Sequence, residues 1–203
     1  MNATVCRLLF GSPDTVVSPS KWLLGMHEDR GFFKGSEKEV MPNSIPPTPL
    51  TKGGAGGFFR FLYVGQIEEH KGVLFLIKTF KKAVSAHAGS LQNTELLIVG
   101  DGSKMEEAKK NAAENENIKF LGRKNKEEVL EIMRQSDCLV VPSLCYENSP
   151  TVIYEAFAVG LPVMGANLGG IPELLGGGRG ILFRTGDADD LAEKMRWAMG
   201  NSN

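Results

Sequence analysis

From Phe58 to the end of the chain, short runs of β-branched and apolar residues alternate with longer segments of helical period. This alternation is typical of strand–helix units that stack into a parallel sheet. It predicts strands at about 58–64, 94–99, 117–121, 138–142, 161–165 and 180–183. We therefore expect an α/β fold, with an open parallel sheet of about six strands and helices on both faces.

The helices between these strands can be placed by their apolar stripes and caps. The first has apolar residues at helical spacing, at Val73, Leu74, Ile77, Phe80 and Val84. Capping-box spacing predicts that the next two begin at Ser103, with Glu106 three residues on, and at Asn125, with Glu128.

The first part of the chain does not show the repeated strand–helix pattern. Its sequence predicts one strand at 14–18 and one helix at 19–27, with Ser18 as N-cap and Pro19 at the first helical position. Segment 31–57 contains PNSIPPTP and GGAGG, a composition typical of linkers. We infer a remnant of a preceding domain at 1–30, a linker at 31–57 and a complete α/β domain at 58–203. The alternative is that 1–30 adds an edge to the same sheet.

Composition excludes several classes of protein. Lys and Arg together number 23 and Asp and Glu 24, so a chain of net charge −1 lacks the field that gathers nucleic acid or anionic membranes. The 3 cysteines form no CxxC pair, which favours free thiols in a reducing compartment. We see no signal peptide and no apolar run of about 20 residues, so we expect a soluble, cytoplasmic protein.

Candidate ligand-binding residues follow the first three predicted strands of the α/β domain. Open parallel sheets bind ligands beyond the carboxyl ends of their strands, where Gly65 and Gly100 leave room for a ligand and Gln66 could donate a hydrogen bond to it. Lys71 precedes a helix, where an ammonium and free N–H groups together attract an anion, and Arg123 could stack on a base or contact phosphate. Taken alone, Lys71 is better explained as an ordinary solvated lysine, and Arg123 could equally be a surface arginine in a polar loop. The chain has neither GxGxxG nor a Walker A sequence, which argues against NAD enzymes and P-loop NTPases.

The fourth strand leads into a more specific segment. Ser149 and Pro150 suit the N-cap and first position of a helix, which would leave the N–H groups of Thr151 and Val152 free for an anion. Glu155 lies one turn further in an otherwise apolar helix, where a buried carboxylate needs a partner such as ribose or sugar hydroxyls.

Glu147 and Glu155 are separated by seven residues, and other motifs follow strand ends in order: VGDG (99–102), FLGRKNKEEV (120–129), EAFAVGLPV (155–163) and GGIPELL (169–175). With these motifs, residues 58–199 resemble the C-terminal donor-binding domain of a group 1 retaining glycosyltransferase. That family has the GT-B fold, whose C-terminal half is Rossmann-like, and a Glu-x7-Glu motif. Residues 14–45 resemble its last acceptor-domain β-α unit and interdomain linker.

The resemblance implies a role for each candidate residue. Lys71 and the N–H groups of residues 151 and 152 would contact the diphosphate of a nucleotide-sugar donor, and Glu155 the ribose hydroxyls. Arg123 would flank the base, and the donor sugar would be addressed by Glu147, Asn148 and Ser149. Lys71 and Glu147 are therefore the expected catalytic residues. The resemblance implies no metal or other cofactor.

It also implies that an N-terminal domain binds the acceptor, which could be a sugar, a lipid-linked saccharide or a small molecule, with possible peripheral membrane association of a longer protein. This chain alone is then expected to be inactive or weakly active. The family usually has Arg where this chain has Gln66, so diphosphate stabilisation is expected to be weaker. Alternatives are a nucleotide-sugar-binding module without transferase activity, or a GT-B relative such as a phosphorylase or epimerase. The base, the sugar and the acceptor are not specified by the sequence.

Overall fold

The computed structural model describes residues 13–42, 59–85, 94–113 and 115–200, in which eight strands form two parallel sheets. The strands are β1 (Thr15–Ser18), β2 (Glu37–Val40), β3 (Phe59–Val64), β4 (Thr94–Val99), β5 (Ile118–Gly122), β6 (Cys138–Val141), β7 (Val163–Ala166) and β8 (Ile181–Phe183). The main sheet has six strands in the order β5-β4-β3-β6-β7-β8. All six predicted strands are confirmed to within two residues at each end.

Helices connect the strands and cover both faces of the main sheet. They are α1 (Lys21–Asp29), α2 (Val73–Ser85), α3 (Met105–Ala112), α4 (Lys126–Arg134), α5 (Thr151–Ala158), α6 (Ile171–Leu175) and α7 (Ala188–Gly200), with a 3-10 turn at Glu69–Lys71. Helices α2, α3 and α7 contribute to one hydrophobic cluster, and α4, α5 and α6 to another. The predicted α/β architecture is therefore confirmed.

Alternation along the strands explains the two clusters. Phe61 and Tyr63 of β3 belong to the first cluster, whereas Leu62 between them belongs to the second, because successive side chains of a strand point to opposite faces. Strand β4 is buried along its whole length, as expected for a central parallel strand covered on both sides.

The helix predictions are confirmed in part. The capping box of Asn125 and Glu128 is present at α4. The one predicted for Ser103 and Glu106 is wrong, because α3 begins at Met105 without a side-chain cap and the Ser103 N–H and hydroxyl both bond to Glu68. On α2 the stripe is broader than predicted: Leu76 and Ala83 are buried, while Leu74 and Val84 are half-buried.

The N-terminal segment forms a separate β1-α1-β2 unit. Helix α1 begins at Lys21 with Ser20 as its N-cap, so the predicted start at Pro19 and cap at Ser18 are wrong by two residues. The Ser18 hydroxyl instead donates to the Ser20 carbonyl oxygen at 2.8 Å. Strand β2 lies inside the segment predicted as linker and pairs with β1 in parallel, so this unit adds no edge to the main sheet. Residues 1–12 and 43–58 lie outside the described residues, and the domain boundaries stay a prediction.

The order of the main sheet places a ligand crevice at its centre. The chain builds outward from β3 to β4 and β5, then returns to place β6 against the other side of β3. Such a switch point leaves a gap beyond the carboxyl ends of the two central strands, between connections that run in opposite directions. The segments after β3 and β6 therefore face each other across this gap.

Candidate functional site

Lys71 and Glu147 meet at the switch point. Lys71 closes the 3-10 turn after β3, and Glu147 lies in the loop between β6 and α5. The Lys71 Nζ lies 2.6 Å from the Glu147 Oε1, and the Ser143 hydroxyl donates to the same oxygen at 2.9 Å. Because the two charged side chains keep 27% and 17% of their surface exposed, this ion pair remains within reach of a ligand.

A close backbone contact brings these two segments together. Gly72 has a φ of 77°, and a Cβ at this position would stand 1.9 Å from the Pro142 carbonyl oxygen. The Leu144 N–H donates to the His70 carbonyl oxygen at 2.8 Å, which joins the Lys71 turn to the Glu147 loop. Only glycine combines this left-handed φ with so close a neighbour. Gly72 therefore sets the distance between the Lys71 and Glu147 segments.

The predicted site glycines Gly65 and Gly100 lie against each other. A Cβ on Gly100 would stand 1.8 Å from the Gly65 carbonyl oxygen. The Tyr63 hydroxyl donates to the Gln66 carbonyl oxygen at 2.6 Å, while the Gln66 side chain is exposed. Burial, followed by the nearby carboxylates Glu147 and Glu68, raises the pKa of the Tyr63 phenol, so it stays a hydrogen-bond donor at neutral pH. The glycines thus pack two strand-end loops together.

A second clamp joins the same two loops at the surface. The two carboxylate oxygens of Glu68 accept hydrogen bonds from the Ser103 N–H at 2.7 Å and the Ser103 hydroxyl at 2.6 Å. The hydrogen bond from the Ser103 hydroxyl is the main cause that lowers the pKa of Glu68. The loop that carries Gln66 and Lys71 is therefore held from its outer side too.

The start of α5 differs from the prediction. The helix begins at Thr151, and the N-cap is Pro150, which offers no side-chain hydrogen bond. The Ser149 hydroxyl, predicted as the cap, pairs with the Tyr154 hydroxyl at 2.8 Å. The N–H groups of Thr151 and Val152 have no acceptor within the described part of the chain, so the predicted pair of free donors is present.

Glu155 and Arg123 remain available to a ligand. Glu155 is half-buried on α5, so its burial is less complete than its apolar neighbours suggested, and Arg123 is exposed just after β5. Neither side chain has a hydrogen bond or ion pair with any residue that the structure describes. The structure thus brings Lys71 into contact with Glu147, whereas Glu155 and Arg123 join no such contact.

The Glu147 loop is bound to the turn before α6. The Gly170 N–H donates to the Glu147 carbonyl oxygen at 2.7 Å, and a Cβ on Gly170 would stand 1.8 Å from the Asn148 carbonyl oxygen. The Asn148 Oδ1 accepts a hydrogen bond of 2.6 Å from the Ser20 hydroxyl of the N-terminal unit. Two segments distant in sequence therefore hold this loop, one through the Glu147 backbone and the other through the Asn148 side chain.

A surface groove of about 480 Å³ lies between one side of α1 and Tyr146, the residue before Glu147. None of the predicted site residues lines it. We place the candidate site at the Lys71 and Glu147 contact instead, because the charged residues that line the groove form no ion pair with any described residue. Among the described residues, no group of three or more His, Cys, Asp or Glu side chains is arranged to hold a metal ion. The same residues include no helix with the length and apolar character needed to cross a bilayer.

Comparison with known protein families identifies the chain. The family of glycosyl transferases group 1 matches residues 59–201, which is most of the sequence. This chain belongs to the group 1 glycosyltransferases. The match begins at the first residue of β3 and extends beyond the last residue of α7.

This glycosyltransferase matches curated relatives over only part of their length. A glycogen synthase of Mycobacterium tuberculosis is 31% identical over 140 residues, which are 66% of this chain and 32% of that protein. An uncharacterized glycosyltransferase of Methanocaldococcus jannaschii is 29% identical over 174 residues, which are 84% of this chain and 43% of that protein. The chain thus spans less than half the length of either relative.

Solved structures show the same fold. The structure of Anabaena HepE in complex with UDP and glucose matches 98% of this chain and 56% of its own, with a TM-score of 0.80 at 19% identity. A sucrose-phosphate synthase from Thermosynechococcus elongatus matches 98% of this chain and 52% of its own, with a TM-score of 0.76 at 21% identity. The fold of this glycosyltransferase is therefore that of the GT-B enzymes, over about half of their length.

Sequence reasoning missed several residues around the candidate site of this glycosyltransferase. Ser143 has no recognisable motif, although its position two residues after β6 placed it at the crevice. Ser20 bonds to Asn148 across 128 residues of chain, and Glu173 bonds to Lys21 across 152 residues. No local pattern encodes either contact. Glu173 stood inside the GGIPELL motif, and that was the one available signal for it.

Proposed function

We propose that this chain binds a nucleotide-diphosphate sugar and supplies the donor half of a retaining glycosyl transfer. The observation that carries the proposal is the contact of Lys71 with Glu147 at the switch point of the sheet. The start of α5, with the donors of Thr151 and Val152, follows the same loop.

A diphosphate fits the cationic part of this site. Lys71 would contact it together with the N–H groups of Thr151 and Val152, because an ammonium and a helix N-terminus both favour negative charge. When the bond from the anomeric carbon to the diphosphate breaks, the departing group gains negative charge. Groups fixed beforehand around that charge lower the barrier. Lys71 is thus the proposed catalytic cation, and we propose that no metal is needed.

Glu147 would face the donor sugar. It is held by the Ser143 hydroxyl as well as by Lys71, so it keeps a partner when Lys71 turns toward a diphosphate. Asn148 and Ser149 follow Glu147 in the same loop and would contact the sugar with it. In the retaining reaction the acceptor attacks from the face on which the nucleotide leaves, so Glu147 would lie beside both.

The remaining candidates would hold the nucleoside. Glu155 has a carboxylate without a protein partner among the described residues, which suits the two adjacent hydroxyls of a ribose. Arg123 follows Gly122, whose φ of 68° turns the chain at the end of β5, and would flank the base. Gly65 and Gly100 would hold the two strand-end loops close together beside the ligand.

Names of related proteins support this class of donor. The Anabaena HepE structures contain UDP or UDP-glucose, and a relative from Corynebacterium glutamicum is a GDP-mannose-dependent mannosyltransferase, 30% identical over 130 residues. These donors share a nucleoside diphosphate but differ in base and sugar. We therefore propose the class and leave the base to experiment.

The acceptor would be bound by a part of the enzyme beyond this chain, because the chain spans only about half of its structural neighbours. We propose that these 203 residues alone bind donor but transfer sugar weakly or not at all. The free thiols Cys138 and Cys145 fit a cytoplasmic enzyme.

A binding module without transferase activity is the second candidate. The observation that favours it is Gln66, an exposed neutral side chain five residues before Lys71 in the same loop. Glutamine can donate a hydrogen bond but brings no charge to the departing diphosphate.

Calorimetric titration with UDP, GDP and ADP, and with their glucose and mannose conjugates, tests the proposal. We expect one nucleotide to bind without added metal, and Lys71→Ala to weaken it at least tenfold. Lys78→Ala is the matched control, because Lys78 is an exposed lysine on α2. If no nucleotide binds at millimolar concentration, or if Lys71→Ala binds as tightly as the control, the proposal is wrong. Stronger binding by Gln66→Arg would support the second candidate's premise that the site lacks a charge.

A further inference from the structure

The cap of α1 is built into the loop that carries Glu147 and Asn148. The Ser20 hydroxyl accepts from the Leu23 N–H at 3.1 Å, so it performs the usual task of an N-cap. It also bonds to the Asn148 Oδ1 at 2.6 Å. The hydroxyl oxygen accepts the Leu23 hydrogen bond, and the single hydroxyl hydrogen is donated to the Asn148 Oδ1.

This donation fixes the orientation of the Asn148 amide. The oxygen of the amide faces Ser20, so the two hydrogens of the amide nitrogen point away from it. That nitrogen has no hydrogen-bond partner among the described residues. Two amide donors are therefore held ready beside Glu147, in a form that suits hydroxyl oxygens.

Glu173 fixes the same helix end from the other side. Its Oε2 accepts from the Lys21 N–H at 2.9 Å, and its Oε1 accepts from the Trp22 N–H. A carboxylate that binds two free N–H groups at a helix N-terminus is favoured by both hydrogen bonding and the helix dipole. Glu173 lies in α6, just after the Gly170 whose N–H binds the Glu147 carbonyl oxygen.

These contacts form a closed ring that includes the Glu147 loop. Ser20 bonds to Asn148, the neighbouring Glu147 bonds to Gly170, and Glu173 of the following helix bonds back to the start of α1. The Trp22 ring also stacks on the Tyr146 ring, with centroids 5.3 Å apart. A ring of this kind leaves the Asn148 side chain few alternative rotamers.

We propose that Ser20 is a positioning residue for recognition of the donor sugar, acting through the Asn148 amide, with Glu173 holding the helix cap in place. The inference rests on the proposed function, because it names what the N-terminal unit does for that same site. It assigns the hydroxyls of the transferred sugar, rather than the nucleotide, as the ligand groups that depend on Ser20.

The test compares the affinity of the nucleoside diphosphate with that of its sugar conjugate, for the nucleotide that binds the wild-type chain. Ser20→Gly removes the hydroxyl but retains most of the capping preference. We expect it to lower the affinity for the sugar conjugate, relative to that for the nucleoside diphosphate, at least fivefold. The affinity for the nucleoside diphosphate itself should change less than twofold. Ser20→Thr, which keeps a hydroxyl, should restore the ratio. Ser36→Ala is the matched control, because the Ser36 hydroxyl bonds to the Pro13 carbonyl oxygen within the same unit.

A second measurement does not depend on ligand. In hydrogen exchange, amides of residues 143–149 should exchange faster in Ser20→Gly and at the wild-type rate in Ser36→Ala. The inference is wrong if wild-type protein binds nucleoside diphosphate and conjugate equally, or if Ser20→Gly keeps the wild-type ratio or exchange rate. If the wild-type chain binds no nucleotide, the proposed function itself has failed, and this sugar-positioning role fails with it.

Discussion

At the scale of single residues, Glu147 competes with a bound diphosphate for Lys71. The Glu147 carboxylate forms an ion pair with the same ammonium group that a diphosphate would need. Glu147→Gln keeps the size of the side chain and its hydrogen bond with Ser143, but removes the charge that holds Lys71. We therefore expect Glu147→Gln to bind nucleoside diphosphate about two- to fivefold more tightly, a change of roughly 0.4–1 kcal/mol, and to lose the additional affinity of the sugar conjugate.

Calorimetry with the nucleotide and its conjugate checks this expectation. Glu128→Gln serves as control, because Glu128 is an exposed carboxylate that pairs with Lys124 at the start of α4. Weaker nucleotide binding by Glu147→Gln would show that Glu147 orients Lys71 rather than restraining it.

Glu155 has a role that can be separated from folding by chemistry on the ligand. A carboxylate that accepts hydrogen bonds from ribose hydroxyls contributes about 1.5–3 kcal/mol, or roughly tenfold or more in affinity. We expect Glu155→Ala to weaken a ribonucleotide by that factor while leaving the melting temperature near that of the wild type. The 2′,3′-dideoxynucleotide, which lacks both hydroxyls, should bind wild type and variant with similar affinity. If Glu155→Ala weakens both nucleotides equally, or unfolds the chain, Glu155 is structural.

At the scale of elements, two predicted helix caps had different outcomes, and the difference is measurable. Asn125 caps α4 with both bonds of a capping box, whereas Ser103 bonds to Glu68 across the crevice loops. Asn125→Ala should lower the free energy of unfolding by about 1 kcal/mol, and Ser103→Ala by less than about 0.5 kcal/mol, as for an exposed surface residue. Urea denaturation of the two variants gives the comparison. Equal losses would contradict the assignment of these caps.

These outcomes show which features local sequence could predict. The strands were predictable because β4 and its neighbours are apolar runs between polar crevice loops, and a buried parallel strand has few other compositions. Strand β2 was missed because EKEV carries three charged side chains, which are largely exposed in a two-stranded sheet. Ser103 was misassigned because its spacing to Glu106 is local, whereas its bonding partner comes from the loop after another strand.

The site was predictable to the same extent. Strand ends indicated that Lys71, Glu147 and the first residues of α5 would lie near one another, because the topology of a parallel sheet brings such residues to one edge. Their direct ion pair, the Ser143 bond and the ring through Ser20 depend on the packing of whole loops. The close approach of Gly170 to the Asn148 carbonyl oxygen likewise follows from tertiary packing rather than spacing.

At the scale of the whole molecule, the hydrophobic core divides the chain unequally. Both hydrophobic clusters are formed by residues between 59 and 200, and no residue of the β1-α1-β2 unit belongs to either. The N-terminal unit touches the rest through polar bonds at Asn148 and Glu173 and through the Trp22 and Tyr146 stack. A two-stranded sheet with one helix has too little apolar surface to be stable alone.

We therefore expect residues 43–203 to fold without the N-terminal unit. Circular dichroism and urea denaturation should show a single cooperative transition and a melting temperature within about 10 °C of the full chain, since a loss of 1–2 kcal/mol shifts the midpoint by roughly 2–8 °C in a domain of this size. The matched truncated variant keeps residues 1–187 and therefore lacks α7, with its buried Leu191, Ala192 and Met195. This variant should fail to fold, because it opens the first cluster to water. If 43–203 is also unfolded, the contacts at Asn148 and Glu173 hold the fold as well as the site, and the boundary between the N-terminal unit and the α/β domain is not a domain boundary.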